Sequence, residues 1–146
     1  MNVINDFHGD HPYLSNFHPA RIEWEGLTYP NAEAAFQAAK VLTAEERLPF
    51  TTAPAGKAKR MGRRVKLRPD WEQVKTSVME EVVRAKFTQN PDLAALLLST
   101  GDAELIEGNT WGDTCWGVDL RTGRGENRLG RILMKVRAEL AAAQEP

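Results

Sequence analysis

The stretch PDWEQVKTSVMEEVVRAKFTQNPDLAALLLSTGD, residues 69–102, carries a strong helical pattern. Apolar side chains recur in its first part at the spacing of one helix face, at Trp71, Val74, Val78, Val82 and Ala85. This periodicity predicts an amphipathic helix. A second helix is expected to begin near Pro91 and to end at Gly101, because proline is favoured in a first helical turn and glycine commonly follows a last one.

The segment before this stretch adds strands and a shorter helix. PARIEWEGLTY (residues 19–29) alternates apolar and polar residues around a Glu-Gly turn signal, and it predicts short strands. TYPNAEAAFQAAKV (residues 28–41) predicts a short helix with Asn31 as its cap and Pro30 just before it. Between Pro49 and Gly62 the composition indicates a loop or a broken helix.

The segment after residue 102 combines a predicted strand, an irregular segment and a closing helix. AELIEG (residues 103–108) predicts a strand, and NTWGDTCWGVDLRTGRGEN (residues 109–127) predicts an irregular segment. A closing helix with an apolar stripe is expected from about Asn127. Helices outnumber strands and do not alternate regularly with them. We therefore predict an α+β fold, a mainly helical single domain with a small β-sheet, that spans residues 1–146.

The composition is that of an ordinary globular protein, with 42% hydrophobic residues, 27% charged residues and a net charge of -1. This balance gives no general reason to expect a polyanion or a membrane as partner. The single cysteine, Cys115, excludes an intramolecular disulfide. The N-terminus lacks the basic and apolar regions of a secretion signal, and no apolar run is long enough to cross a membrane. We therefore expect a cytoplasmic protein.

The segment EGNTWGDTCWGVD combines Trp111 and Trp116 with three glycines and with short polar side chains. Glycines allow a backbone to approach a ligand closely, and aromatic faces stack on planar rings. The segment therefore predicts a ligand-binding wall. The alternative is a structured loop whose tryptophans fill the core, with Asp113 capping a turn.

Two further features are candidates for binding. GKAKRMGRRVKLR (residues 56–68) concentrates lysines and arginines, and no acidic residue occurs between Leu48 and Pro69. Such side chains bind phosphate groups, or they form a solvated basic surface. Glu33, Gln37 and Lys40 share a second face of the short helix, which either meets water or presents a carboxylate, an amide and an amine to a ligand. The histidines lack the spacing of a zinc site, so no metal is expected.

Taken in order, several segments resemble the NADAR (YbiA-like) domain family and together cover almost the whole chain. They are YLSNFHPARIEWEGLTYPNAEAAFQAAK, AKRMGRRV followed by Trp71, KFTQNPDLAALLLSTGDAELIEGN, WGDTCWG and GENRLGRILMKVR. The P-x-x-E-x-x-F-Q motif of the family places its glutamate at Glu33. Relatives often have a histidine after that glutamate, where this chain has Ala34, so no histidine role is carried over.

The resemblance implies a YbiA-like fold and an N-glycosidase that acts on ribose attached to an exocyclic amine. Members of the family remove ADP-ribose from modified guanine bases, and others hydrolyse ribosylated, phosphorylated pyrimidine intermediates of riboflavin synthesis. The expected partners are an ADP-ribose-type ligand, ADP-ribosylated DNA or a nucleotide, and an ADP-ribosyltransferase toxin as counterpart. No cofactor is implied.

The same resemblance assigns roles to particular residues. An ionised Glu33 would stabilise the charge that develops at ribose C1 and would activate water. Asp113, from the family's D-x-x-W-G motif, would orient ribose hydroxyls or act as a second carboxylate. A second route follows from the linkage itself and not from the resemblance. Glycosylamines open to imines, and Lys40, on the same helical face as Glu33, would then form a Schiff base with the opened sugar. The expected substrate-binding residues are Ser15, Asn16, Phe17, Lys59, Arg60, Arg63, Trp71, Trp111, Trp116 and Gly117.

Two hypotheses of other classes stay open. A binding module would recognise ADP-ribose or NAD without turnover, and Glu33 would then be dispensable. A protein-interaction domain would use the Trp-rich loop to contact a partner, and ADP-ribose would then not raise its thermal stability. Within the enzyme class, modified nucleic acid and a small metabolite both remain candidate substrates.

Overall fold

A computed structural model describes residues 2–144, and its contacts divide the chain into two compact units. One unit runs from Asn16 to Asn90, and the other combines the segment up to Ser15 with the segment from Pro91 onward. No helix within the described residues is long and apolar enough to cross a membrane. The boundaries of the predicted single domain, residues 1–146, stay a prediction.

The structure is mainly helical, with three two-stranded sheets, and it confirms the predicted α+β class. Two 3₁₀ turns lie at Pro12–Leu14 and Leu48–Thr52. In chain order the other elements are β1 (Val3–Ile4), β2 (Pro19–Trp24), β3 (Leu27–Asn31), α1 (Ala32–Ala38), α2 (Ala44–Arg47), α3 (Ala55–Gly62), α4 (Trp71–Gln89), α5 (Pro91–Ser99), β4 (Glu104–Leu105), β5 (Gly108–Asn109), β6 (Val118–Asp119) and α6 (Arg128–Ala143).

The β2–β3 hairpin is antiparallel and reverses direction at Glu25 and Gly26. Both residues have positive φ, 47° and 85°, as a two-residue type I′ turn requires. Ala20, Ile22 and Trp24 are buried and alternate with exposed residues along β2. One face of the hairpin therefore joins the core, as the alternation in the sequence predicted.

Helix α4 packs against β2. Its buried side chains include Trp71, Val78 and Val82 from the predicted apolar face. Near its C-terminal end, the Gln89 side chain donates to the carbonyl of Glu23 at 2.9 Å and accepts from the amide of Glu23 at 2.7 Å. These two hydrogen bonds attach the end of α4 to the backbone of β2.

Helix α1 is short, and all seven of its residues, Ala32–Ala38, are buried. It contacts β3, α3 and α4. Its alanine-rich sequence suits this environment, because small side chains let neighbouring elements approach closely at native packing density. Any polar side chain on α1 therefore lies in the interior of this unit.

In the other unit, β1 pairs with β4 and β5 pairs with β6, in both cases in parallel. Helix α6 packs against α5 and β4. The amides of Arg128 and Leu129, in its first turn, donate to the carbonyls of Cys115 at 3.2 Å and Trp116 at 3.0 Å. The irregular segment 109–127 thus satisfies donors at the N-terminus of α6, which would otherwise lack partners within the helix.

Two parts of the structure differ from the prediction. The segment predicted as a loop or a broken helix contains a 3₁₀ turn and the regular helix α3. The strand predicted over residues 103–108 is divided into β4 and β5. Because β4 pairs with β1 whereas β5 pairs with β6, the two short strands belong to different sheets.

Candidate active site

The N-terminus of α1 is held by two asparagines. The side chain of Asn31 accepts a hydrogen bond from the amide of Ala34 at 2.7 Å and donates to the carbonyl of Ala53 at 3.2 Å. The carbonyl of Asn16 accepts from the amide of Glu33 at 3.0 Å. Asn31 is therefore the predicted helix cap, and Asn16 contacts the backbone of the candidate catalytic residue.

Glu33 and Gln37 both lie inside the protein. Glu33 is 8% exposed and Gln37 is 5% exposed. The Gln37 amide nitrogen Nε2 donates to Oε1 of Glu33 at 2.8 Å. The amide oxygen Oε1 of Gln37 is buried and has no hydrogen-bond partner in residues 2–144. The hypothesis that these side chains form a solvated face is therefore wrong for Glu33 and Gln37.

Lys40 does not lie on the helix, contrary to the prediction. Helix α1 ends at Ala38, and Lys40 occupies the turn that follows. Arg68 binds the carbonyls that a longer helix would use, since its backbone amide donates to Lys40 O at 2.9 Å and its Nη1 donates to Ala39 O at 3.3 Å. These contacts from a distant segment satisfy carbonyls that lack partners at the C-terminal end of the helix.

The Lys40 amine nevertheless lies within electrostatic range of the carboxylate of Glu33. Its Nζ donates to the carbonyl of Gly62 at 3.4 Å. Burial lowers the pKa of Lys40 below its usual value; the Glu33 carboxylate partly restores it, and the positive charge of Arg63 adds to the lowering. An amine whose pKa is lowered is deprotonated in a larger fraction at neutral pH, and the deprotonated amine is the nucleophilic form.

The predicted phosphate ligands lie on and after α3. Lys59 is half-buried and its Nζ lies 5.9 Å from the ring centroid of Phe17, another predicted binding residue. Arg60 and Arg63 are exposed. Helix α3 also contacts α1, so the structure brings the basic segment next to the helix that carries Glu33.

Trp71 and Asn16 have packing roles in the structure. Trp71 is 5% exposed, and the centroid of its ring lies 5.2 Å from the ring centroid of Phe36 on α1. The side chain of Asn16 is buried and donates to the sulfur of Met79 at 3.3 Å. Burial of Trp71 favours support of α1 over direct stacking on a ligand.

The predicted residues Ser15, Trp111, Asp113, Trp116 and Gly117 belong to the other compact unit. Oδ1 of Asp113 accepts from the amides of Cys115 and Trp116, both at 3.0 Å. This is the turn-capping role that the sequence allowed as an alternative. Trp111 is 58% exposed, whereas Trp116 is half-buried.

Asn109 organises this loop. Its side chain is buried, donates to the carbonyl of Asp113 at 2.9 Å, and accepts from the Asp113 amide at 3.0 Å. Gly117 has no space for a side chain, because a Cβ there would collide with the side chain and backbone of Glu107. The roles of Asp113 and Gly117 in loop geometry are thus visible in the structure, and their roles toward a substrate stay predictions.

Two contributors to the site received no individual role in the sequence analysis, although Gln37 was noted there as an amide on the second face of the short helix. Gln37 is the last residue of the P-x-x-E-x-x-F-Q motif, which was the available signal. Gly62 carried no signal, because its contacts with Lys40 and Gln37 join residues far apart in the chain. No group of three or more histidine, cysteine or acidic residues within residues 2–144 could hold a metal ion.

Comparison with known proteins gives a consistent family assignment. The chain matches the NADAR domain over residues 5–141. It is 45% identical over 141 residues to the N-glycosidase YbiA of Escherichia coli (strain K12), which covers 94% of this chain and 84% of that protein. It is also 41% identical over 135 residues to a riboflavin biosynthesis protein of Vibrio vulnificus (strain YJ016), which covers 90% of this chain and 36% of that protein.

The fold matches a solved structure as well. The NMR structure of the E. coli protein YbiA superposes with a TM-score of 0.85 at 39% sequence identity. The match covers 98% of this chain and 87% of the NMR chain. The predicted fold class is therefore supported both by the structure itself and by a related experimental structure.

Proposed function

The chain belongs to the NADAR domain family and is a hydrolase of the N-glycosidase class, and from this premise we propose that it cleaves the bond between ribose C1 and an exocyclic amine. The observation that carries this proposal is the arrangement at α1. A buried carboxylate, Glu33, accepts a hydrogen bond from Gln37 and lies within electrostatic range of the Lys40 amine. The water route of glycosylamine cleavage requires a carboxylate such as Glu33, and the imine route requires an amine such as Lys40.

In the first route water attacks C1. Departure of the amine leaves positive charge on the ribose, and a negative carboxylate beside C1 stabilises that charge more strongly in a buried site than in water. Glu33 also accepts a proton from the attacking water, and the departing nitrogen takes up a proton in exchange and leaves as a free amine. General base assistance typically contributes about 10²–10⁴-fold to the rate. Glu33 is therefore proposed as the catalytic carboxylate.

In the second route the sugar opens and C1 becomes an imine of the substrate amine. The deprotonated Lys40 nitrogen adds to C1 and its two protons pass to the substrate nitrogen. The bond between C1 and that nitrogen breaks, the substrate leaves as a free amine, and C1 is then doubly bonded to Lys40. Water hydrolyses this imine, which releases the sugar and restores the lysine. The lowered pKa of Lys40 supports this route, because more of the amine is deprotonated at neutral pH.

The proposed substrate is ADP-ribosylated guanine in nucleic acid. Lys59, Arg60 and Arg63 lie on or directly after α3, which contacts α1, and they are the proposed ligands for the pyrophosphate of ADP-ribose or for a nucleic-acid backbone. Trp111 and Trp116 are the proposed stacking residues. An ADP-ribosyltransferase toxin would be the counterpart that produces such a substrate, and the cytoplasm is the setting we propose for both.

A phosphorylated riboflavin intermediate is the second candidate substrate. The similarity of this chain to the riboflavin biosynthesis protein of Vibrio vulnificus favours such a substrate. The matched region is 36% of that protein's length. Such an intermediate also joins ribose C1 to an amine, so the chemistry at Glu33 and Lys40 would be the same. The two candidates differ in the leaving base and in the number of phosphates.

The test is release of the sugar, followed by mass spectrometry. Wild-type protein is incubated with an oligonucleotide that carries ADP-ribosylated guanine and, separately, with a ribosylated, phosphorylated aminopyrimidine. We expect release of ADP-ribose from the first substrate and a fall of about 10²-fold or more in Glu33→Gln. Glu45→Gln, an exposed carboxylate on α2, is the matched control and should keep full activity.

Borohydride distinguishes the two routes. It reduces a Lys40 imine to a stable secondary amine, so the lysine route predicts a covalent adduct on the peptide that contains Lys40 and none in Lys40→Met. The water route predicts no adduct and a Lys40→Met variant that retains activity. Binding of ADP-ribose without release from either substrate would favour the binding module and refute the proposed activity.

A further inference from the structure

Gln37 is an unusual residue for the interior of α1. It is 5% exposed, and only its Nε2 has a hydrogen-bond partner in the described part of the chain, namely Glu33. A buried acceptor without a partner destabilises the folded state, because its hydrogen bonds to water are lost and not replaced. An apolar side chain of similar length would fill the same space without that cost. Packing alone therefore does not explain an amide at this position.

The backbone around Gln37 is shaped to accept its side chain. Gly62, at the end of α3, faces Gln37 so closely that a Cβ at Gly62 would collide with Oε1 and Cδ of the amide. The carbonyl of Gly62 also accepts the hydrogen bond from Lys40. Gly62 therefore contacts both Gln37 and Lys40, the two residues that act together with Glu33 in the proposed site.

We propose that Gln37 is a positioning residue of the glycosidase site, which holds the Glu33 carboxylate in its productive orientation by donating from Nε2 to Oε1. This inference rests on the proposed function. An amide suits the task because it cannot titrate, so it remains a donor to an ionised carboxylate at every pH. With one oxygen held by Gln37, the carboxylate of Glu33 has a fixed orientation relative to α1.

Loss of this hydrogen bond would act on the rate more than on substrate binding. A misplacement of about 1 Å in a catalytic group can reduce a rate about 10²-fold. The charged groups in electrostatic contact with Lys40 at this site are Glu33 and Arg63. Reorientation of Glu33 would also change the pKa of Lys40, because the Glu33 carboxylate raises that pKa. The titration of Lys40 therefore offers a second readout.

Two variants separate positioning from packing. Gln37→Met has a similar length and no donor, and we expect kcat to fall about 10–100-fold with little change in KM. Its thermal stability should change little, because removal of the unpartnered oxygen offsets the loss of the hydrogen bond to Glu33. Gln37→Glu places a second carboxylate beside Glu33. The pair can share one proton at low pH, so activity should be recovered in acid and should fall as the pH rises.

A measurement on Lys40 does not depend on turnover. Reductive methylation at several pH values, read by peptide mass spectrometry, reports the fraction of deprotonated Lys40. In Gln37→Met we expect this pH dependence to move to lower pH, because the Glu33 carboxylate that raises the pKa of Lys40 is no longer held in place. This result is expected even if the substrate of the proposed function is wrong.

The outcomes are distinct. A reduced kcat in a stable Gln37→Met, with recovery of Gln37→Glu in acid, would support the inference. Wild-type activity in Gln37→Met would overturn it. A fall in thermal stability with normal kcat for the folded fraction would overturn it as well, because Gln37 would then be structural. Absence of release by wild type would refute the proposed function, and the methylation profiles would still decide the role of Gln37.

Discussion

Helix α3 contains two glycines that provide an internal comparison of the geometry around the site. At Gly56 an added Cβ would meet only Nη1 of Arg60, at an ordinary distance of 3.6 Å. At Gly62 an added Cβ would collide with the buried amide of Gln37. Gly56→Ala and Gly62→Ala are thus the same chemical change in the same helix, and only the second meets an obstacle.

The expected energies follow from these contacts. Alanine is favoured over glycine in a helix by about 0.5–1 kcal/mol, so Gly56→Ala should raise the free energy of unfolding by about that amount. Overpacking of a buried position costs about 1–3 kcal/mol. After the gain in helix propensity, Gly62→Ala should lower the free energy of unfolding by about 0.5–2 kcal/mol. The two variants should therefore differ by about 1–3 kcal/mol.

Activity should separate the variants further. Displacement of the Gln37 amide would disturb the orientation of Glu33, so kcat of Gly62→Ala should fall at least about tenfold. Gly56→Ala should keep the wild-type kcat. Urea denaturation gives the free energies of unfolding, and sugar release gives kcat under conditions in which each variant is fully folded. Equal stability and equal kcat in the two variants would refute the reasoning about Gly62 and Gln37.

Three other changes test separate parts of the structure. Asn31→Ala removes the cap of α1 and should lower the free energy of unfolding by about 1–2 kcal/mol. Thr43→Ala removes the cap of the short α2 and should lower the free energy of unfolding by less. Urea denaturation of both variants measures the two values. Burial lowers the pKa of Lys86 to about 7. The unfolded state then holds more protons between about pH 7 and pH 10, so the free energy of unfolding should rise with pH in that window, and Lys86→Met should abolish the rise in denaturation series at several pH values. Asp113→Asn keeps a side-chain oxygen for the turn, so the thermal midpoint should not change. If the carboxylate is catalytic, kcat should fall about 10²-fold. An unchanged kcat would assign Asp113 to the turn alone.

Local sequence determined most of the helices and the hairpin. The apolar face of α4, the proline that begins α5 and the stripe of α6 depend on residues within a few positions of one another. The Glu-Gly turn and the Asn31 cap are equally local, since each requires only a particular backbone conformation or a side-chain oxygen next to the helix start. The motif around Glu33 and the basic segment likewise identified the candidate site before any contact was known.

Tertiary structure alone decided how that site is built. The face with Glu33 and Gln37 has the spacing of a solvated surface, and it is buried because α3, α4 and β3 all pack against α1. Lys40 lies beyond the end of the helix, where Arg68, 28 positions further on in the sequence, binds the carbonyls of Ala39 and Lys40. The space at Gly62 and the lowered pKa of Lys40 follow from the same long-range packing. Periodicity reports which residues share a face of a helix, whereas the burial and the charge state of those residues depend on the segments that cover the face.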